Sequence, residues 1–157
     1  MGSVKKAPHW KHQLTCVRIA AALDAWSQST KLGQAAITPG IIFTDTDNVI
    51  PDVVWASNER LAVLLDNAGH LTAAPELVVE VLSPGTENQR RDREAKLKLY
   101  SSRGVQEYWI VDWQKQQVEV YRREQAALNL VATLFTNDNL ITPLLSGFNC
   151  PVVSIFV

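Results

Sequence analysis

The chain has 157 residues, of which 46% are hydrophobic and 20% are charged, and its formal net charge is -1. This is enough for one globular domain with a buried core, and the near-zero charge excludes a protein that holds nucleic acid through overall positive charge. The two cysteines, Cys16 and Cys150, lack CxxC or histidine-spaced partners, which argues against a disulfide framework and against zinc.

The beginning of the chain shows no export signal. Its first dozen residues carry positive charges and histidines but no apolar signal-peptide core, and no apolar run approaches the roughly 18 residues of a membrane span. Because the two thiols are expected to be reduced, the sequence predicts a cytoplasmic protein without a membrane partner. We expect one domain over residues 1–157, with residues 1–10 disordered or left over from expression.

A helix and short strands are predicted first. Apolar spacing predicts a helix from residue 11 to about residue 28, and β-type runs at 33–37 and 40–45 predict two strands joined to each other by a tight connection. Acidic and amide residues at 44–48 invite a calcium loop, but the glycine and the closing glutamate of such a loop are missing. A hairpin turn is therefore predicted there.

The next strand, over 49–56, carries Asp52 within an apolar run. Because Pro51 has no N–H to give to a sheet, we expect the backbone to bend here and aim the carboxylate. An Asx-type turn at the start of a strand is the alternative for Asp52. Ser57 is expected to cap a short helix over 58–65.

A buried strand with a carboxylate in its middle follows. The run from Glu76 to Leu82, bounded by Pro75 and Pro84, is rich in β-branched residues and predicts a strand covered on both faces. Glu80 lies within it. A buried carboxylate is costly unless a cation or metal meets it or its pKa rises, so Glu80 is a candidate functional residue.

The helix after this strand, which ends near Gly104, offers a cation. Helical spacing places Lys96 in the middle of the inward face and Lys98 on the polar face. Two ordinary alternatives remain for Lys96. It could form an i,i+4 pair with Asp92, worth about 0.2–0.5 kcal/mol, or its stem could extend outward to solvent.

The rest of the chain predicts strands at 107–112, 118–121 and 128–135. The segment 140–157 is apolar but interrupted by prolines and a glycine, so we expect it to lie against the core or against a second subunit. With several exposed-strand candidates, it predicts a homodimer. Together the elements predict an α/β fold with a mixed β-sheet flanked by helices.

Basic residues gather in two places, although a solvated surface is the commoner meaning of such clusters. They could form a basic face for DNA. The two groups are Lys5, Lys6, His9, Lys11 and His12, and Arg90, Arg91, Arg93, Lys96 and Lys98.

An aspartate after a proline in one strand, with a glutamate in the next long strand, resembles the PD-(D/E)XK nuclease superfamily. A narrower resemblance is to the Uma-type family of putative restriction endonucleases, a domain-of-unknown-function family, and covers the chain from about Leu14 to the end. It rests on Pro51-Asp52-Val53-Val54, the runs 57–61 and 75–84, Asp92-Arg93 with Lys96 and Tyr100, and the run 104–109.

The resemblance implies a restriction-endonuclease-like core and a metal-dependent endonuclease that hydrolyses DNA. It implies that Asp52, Glu80 and the main-chain carbonyl of Val81 bind Mg²⁺, for which Mn²⁺ may substitute, and that Lys96 completes the catalytic set. The superfamily lysine usually stands two residues after the glutamate, where this chain has Leu82. Lys96, on the following helix, is the lysine that matches within the family.

Two further statements rest on the resemblance. It places Gln106 and Tyr108 near the site. It also leaves a rival from another class, a nuclease-derived module without catalysis that binds nucleic acid or a protein partner, because a fold alone does not determine function.

Overall fold

The computed structural model describes residues 7–84 and 86–157, without the side chains of residues 86–88. The expectations for residues 1–6, including the basic Lys5 and Lys6, lie outside this part of the chain. The helices are α1 (Trp10–Thr30), α2 (Asn58–Leu64) and α3 (Thr86–Ser102), and a 3-10 helix spans Val152–Ile155. The strands are β1 (Gly33–Ile37), β2 (Ile41–Thr44), β3 (Asp47–Val49), β4 (Val53–Ser57), β5 (Leu77–Val81), β6 (Glu107–Asp112), β7 (Gln117–Glu124), β8 (Ala127–Leu134), β9 (Asn139–Leu140) and β10 (Cys150–Pro151).

Six strands form the central sheet, in the order β1-β4-β5-β6-β7-β8. β5 and β6 are parallel, and the other neighbours in this sheet are antiparallel. Parallel strands need a crossover connection, and α3 provides it between β5 and β6. β2 pairs with β3, and β9 pairs with β10, in two small sheets of their own.

Apolar layers cover both faces of the sheet, which explains the continuous hydrophobic runs of β4, β5 and β6. On one face, α1 and the C-terminal segment pack around Leu23, Trp109 and Val152. On the other face, α3, α2 and the β2–β3 hairpin pack around Tyr100 and Tyr108. The predicted α/β fold, a mixed sheet flanked by helices, is confirmed.

Two strand predictions were wrong in their pairing or continuity. The run 33–37 is β1, but it pairs with β4 rather than with the run 40–45, which contributes β2. The run 49–56 is not one strand, because the backbone leaves the extended ladder at Ile50–Asp52 and resumes as β4. Pro51 explains the break, since it cannot donate a ladder hydrogen bond.

The C-terminal segment lies against the core, one of its two predicted places. Leu140, Leu145, Val152 and Ile155 are buried with the residues of the α1 face. Within residues 7–84 and 86–157, no helix combines the length and the apolar character that a bilayer crossing needs.

Candidate functional site

Asp52 and Glu80 meet where β4 and β5 lie side by side. The antiparallel register pairs Val53 with Val79. Asp52, which precedes Val53, is therefore opposite Glu80, which follows Val79. The backbone N–H of Asp52 donates to Glu80 Oε1 at 3.3 Å. Asp52 stands immediately before β4, at the bend that Pro51 introduces, and its side chain is half-buried.

Glu80 is buried, with 6% of its surface exposed. Its Oε2 accepts a hydrogen bond from the Tyr100 hydroxyl at 3.0 Å and lies 3.1 Å from the Lys96 ammonium. With the Asp52 N–H on Oε1, both oxygens of this carboxylate have donors. The cation that the buried glutamate required is thus Lys96.

Lys96 has two acidic partners. Its Nζ lies 3.1 Å from Glu80 Oε2 and 3.1 Å from Asp92 Oδ2. The ordinary i,i+4 pair with Asp92 therefore exists together with the pair to Glu80, and neither excludes the other. Lys98 is exposed, as its position on the polar face predicted.

Asp52 and Val81 are joined through a histidine of α1. Asp52 Oδ2 accepts from the Val81 N–H at 2.7 Å, and the Val81 carbonyl accepts from His12 Nε2 at 3.0 Å. The same Nε2 lies 3.5 Å from Asp52 Oδ2, while His12 Nδ1 lies 2.9 Å from Gln13 Oε1. Nε2 therefore faces two oxygen acceptors, the Val81 carbonyl and the Asp52 carboxylate.

The pKa values follow these contacts. The hydrogen bond to Asp52 is the main cause that raises the pKa of His12 to about 11. Burial raises the pKa of Glu80, and Asp52 adds to this while Lys96 opposes it. Burial disfavours the Lys96 ammonium, but Glu80 and Asp92 outweigh this and hold its pKa above the ordinary value. We call the cluster of Asp52, Glu80, Lys96, His12 and Tyr100 the corner. Each of its two carboxylates lies beside a cationic side chain.

A cleft of 530 Å³ opens over this corner, and Gln89 and Arg93 also line it. A neighbouring cleft of 410 Å³ shares Gln89 and Arg93. Arg93, which is paired with Glu119, and Lys96 are two cationic residues of this lining. Carboxylates with a lysine beside them in a cleft can hold a divalent cation and an anionic group together.

Two members of this corner were missed by sequence reasoning. His12 was counted with a basic, solvated cluster, but it is buried, with 5% of its surface exposed. Its burial depends on how α1 packs against the sheet end, which no local pattern shows. Tyr100 was named only among the residues that carry the resemblance, without a role, yet it is a hydrogen-bond donor to Glu80.

The two residues placed near the site by resemblance have different surroundings. Tyr108 lines the cleft, with its ring centroid 5.0 Å from that of Tyr100. The Gln106 side chain donates to the Gly104 carbonyl at 3.4 Å.

The donor atoms of the corner fit a hard divalent cation. Mg²⁺ prefers carboxylate and carbonyl oxygens, and Asp52, Glu80 and the Val81 carbonyl offer such atoms. Lys96 and His12 already face the two carboxylates, so the fit to a divalent ion rests on these oxygen donors and not on an unbalanced charge.

A second buried carboxylate lies outside this corner. Glu107, at the start of β6, is 1% exposed. Its Oε1 accepts from Arg122 Nε at 2.8 Å and from the Thr142 hydroxyl at 2.9 Å, and its Oε2 accepts from Trp109 Nε1 at 2.7 Å. Glu107 therefore has a complete set of partners from the fold, and we assign it a structural role.

Comparison with known proteins identifies the family and supports the fold. The model of the Uma2 family, described as "Putative restriction endonuclease", matches residues 3–153. A search of curated proteins finds no match. Among solved structures, the chain is similar to a crystal structure described as a putative nuclease belonging to DUF820 from Anabaena variabilis ATCC 29413. The TM-score is 0.75 at 19% identity, over 98% of this chain and 84% of that one.

Proposed function

The chain belongs to the Uma2 family of putative restriction endonucleases, and from this premise we propose that it is a metal-dependent endonuclease that hydrolyses phosphodiester bonds of DNA. Asp52, Glu80 and Lys96 are the proposed catalytic residues. Asp52, Glu80 and the Val81 carbonyl are the proposed ligands of Mg²⁺, for which Mn²⁺ can substitute.

The observation that carries this proposal is the meeting of two carboxylates and a lysine at one end of the sheet. The Lys96 ammonium is 3.1 Å from Glu80, and Glu80 accepts from the backbone of Asp52. Phosphodiester hydrolysis adds negative charge to the phosphoryl oxygens, so a site for it must concentrate positive charge and hold water. The corner has residues suited to both tasks.

Each side chain has a role that follows from its contacts. Lys96 can turn one of its three N–H donors from Asp92 to a phosphoryl oxygen, because it is 31% exposed toward the cleft. Tyr100 fixes the orientation of Glu80 through a hydroxyl hydrogen bond. The Val81 N–H fixes Asp52. These bonds hold the two carboxylates in place before substrate binds.

The divalent ion has a defined part in this proposal. Held by Asp52, Glu80 and the Val81 carbonyl, it would supply charge to the phosphoryl oxygens and lower the pKa of a bound water. DNA is the proposed substrate, and Arg93 at the rim of the cleft is suited to a neighbouring phosphate.

Cleavage of DNA with and without metal tests the proposal. Purified protein should nick or cut DNA with Mg²⁺ or Mn²⁺ and stop when EDTA is added. Lys96→Ala should lower turnover about a hundred- to a thousandfold, because one charge-stabilising donor is lost, while metal binding measured by calorimetry is largely retained. Asp52→Ala should remove both cleavage and metal binding.

Lys98→Ala is the matched control, since Lys98 is exposed on the same helix. This variant should cut DNA at the wild-type rate. The non-catalytic module would be favoured if wild type and all variants were equally inactive on single-stranded, double-stranded and branched DNA but still bound it. If the protein also bound no metal, the role of Lys96 would be limited to that of a counter-ion for Glu80.

We also propose that the protein is a cytoplasmic homodimer. Leu130 and Phe135, in and just after the edge strand β8, are 50% and 52% exposed, which suits an interface between two copies. The free thiols of Cys16 and Cys150 suit a reducing compartment. Light scattering that gives a monomer at high micromolar concentration would refute the dimer.

A further inference from the structure

A second set of potential metal ligands overlaps the corner. His12 and Cys16 lie one turn apart in α1, and Asp52 reaches them from the end of the sheet. An imidazole nitrogen, the thiol sulfur and a carboxylate oxygen from these residues all lie within 4.8 Å of one another. His12 and Cys16 are buried, and Asp52 is half-buried.

The separation of His12 and Asp52 is that of a tetrahedral zinc site, and Cys16 has to turn to complete the site. Zinc bonds of about 2.3 Å to sulfur and about 2.0–2.2 Å to nitrogen and oxygen place neighbouring ligand atoms roughly 3.4–3.6 Å apart. His12 Nε2 is 3.5 Å from Asp52 Oδ2, and Cys16 Sγ is 3.8 Å from His12 Nδ1. Because the thiol approaches Nδ1 rather than Nε2, the Cys16 side chain has to turn toward Nε2 for the three residues to share one ion.

A neighbouring residue orients the imidazole as in known metal sites. Gln13 Oε1 lies 2.9 Å from His12 Nδ1 and can accept the Nδ1 proton. When an ion binds, Nε2 and the Cys16 thiol each release their proton to solvent, and the ring keeps the proton on Nδ1. Outer hydrogen bonds of this kind fix the tautomer of metal-binding histidines. The Val81 carbonyl, 3.0 Å from Nε2, and the open cleft provide a fourth ligand position.

We propose that His12, Cys16 and Asp52 form a site for a thiophilic divalent ion such as Zn²⁺, and that this ion inhibits cleavage. The thiolate selects zinc and similar metals over Mg²⁺, which prefers oxygen ligands. Asp52 belongs to both ligand sets, so the zinc ion takes a ligand that Mg²⁺ needs. The inhibitory part rests on the proposed nuclease function, but the binding part does not.

Local spacing does not predict this site, because it has neither paired cysteines nor paired histidines close together in sequence. Here the i,i+4 spacing puts His12 and Cys16 on one face of α1. The third ligand is supplied by a distant segment at Asp52.

Cobalt is the probe for a direct test, because Co²⁺ bound to a thiolate in tetrahedral geometry absorbs strongly through charge transfer from sulfur. Reduced, metal-free full-length protein titrated with Co²⁺ should develop this near-ultraviolet band with visible d–d bands at one ion per chain. Zn²⁺ should bleach them stoichiometrically. Gln13→Ala should weaken Co²⁺ binding about tenfold.

Two cysteine variants separate the possibilities. Cys16→Val should lose the charge-transfer band, whereas Cys150→Val, at the other buried cysteine, should keep it. Circular dichroism of both variants checks that they fold. A band that persists in Cys16→Val, or Co²⁺ binding by wild type without any sulfur band, overturns the proposal.

Cleavage tests the inhibitory part separately. In Mg²⁺, with each variant compared with its own zinc-free rate, the zinc concentration that halves cutting should rise at least about tenfold in Cys16→Val. Equal zinc sensitivity of Cys16→Val and wild type would overturn inhibition through this site. A cobalt band in a protein that never cuts DNA would instead refute only the nuclease function.

Discussion

The two buried glutamates should respond in opposite ways to the same isosteric change. Glu107→Gln should destabilise the protein by about 3–5 kcal/mol, because a charge-assisted bond to Arg122 is lost and the new amide places a donor against another donor. The conflict cannot be avoided, since both oxygens of Glu107 accept from buried or half-buried N–H and O–H groups. Glu80→Gln should change stability by no more than about 1 kcal/mol, because the Tyr100 hydroxyl on Oε2 can rotate to accept from the new amide.

The difference comes from what surrounds each carboxylate. Burial and Asp52 disfavour the charge of Glu80 and raise its pKa, so removing that charge relieves a cost. Its cation, Lys96, is 31% exposed and keeps Asp92 as a partner. Glu107 has no such relief, since Arg122, Thr142 and Trp109 around it donate hydrogen bonds to it.

Urea unfolding followed by the fluorescence of the five tryptophans measures both variants, in EDTA so that no metal contributes. For a domain of this size each kcal/mol is worth about 2–4 °C, so the melting temperature of Glu107→Gln should fall by roughly 10 °C. Equal slopes against urea would show that the two changes act on the folded state. If Glu80→Gln costs as much as Glu107→Gln, Glu80 is a structural residue and the functional interpretation of the corner fails.

The same unfolding measurement checks three more substitutions. Gly33→Ala should cost about 2 kcal/mol, because a new Cβ would collide with the carbonyl of Ala56; a neutral result would mean that β1 can shift. Arg123→Met should cost about 2 kcal/mol, since its guanidinium donates to the Ser101 carbonyl and others at the end of α3; wild-type stability would show that water replaces these bonds. Arg90→Ala should stay within about 0.5 kcal/mol, because its ion pair is exposed; a larger loss would contradict the assignment of Arg90 to a solvated face.

Local patterns in the sequence were sufficient to find a site residue where a charged side chain was predicted in a buried position. Glu80 stood out because a carboxylate interrupted a β-branched run, and Lys96 because helical spacing turned it inward. Each is a statement about one element. Their pairing then followed, because a buried acid and an inward lysine on successive elements have few other partners.

Pairings between distant segments could not be read in the same way. β1 prefers β4 over β2 although β2 is nearer in sequence, and the close approach of Gly33 to the β4 backbone is part of that preference. His12 looked like one more surface cation until α1 was seen to lie across the sheet end. Glu107 shows the converse, since its charge is satisfied by Arg122 and Thr142 from later parts of the chain.

The pairing of Val53 with Val79 makes the corner sensitive to changes in chain length. Successive residues of a strand point to opposite faces, so inserting or deleting one residue within β5 would turn the Glu80 side chain toward the α1 side of the sheet, away from Lys96. The loop between α2 and β5 carries no such constraint, because changes there leave the strand register alone. Over evolution we therefore expect relatives to differ in length in that loop while the two strands keep theirs.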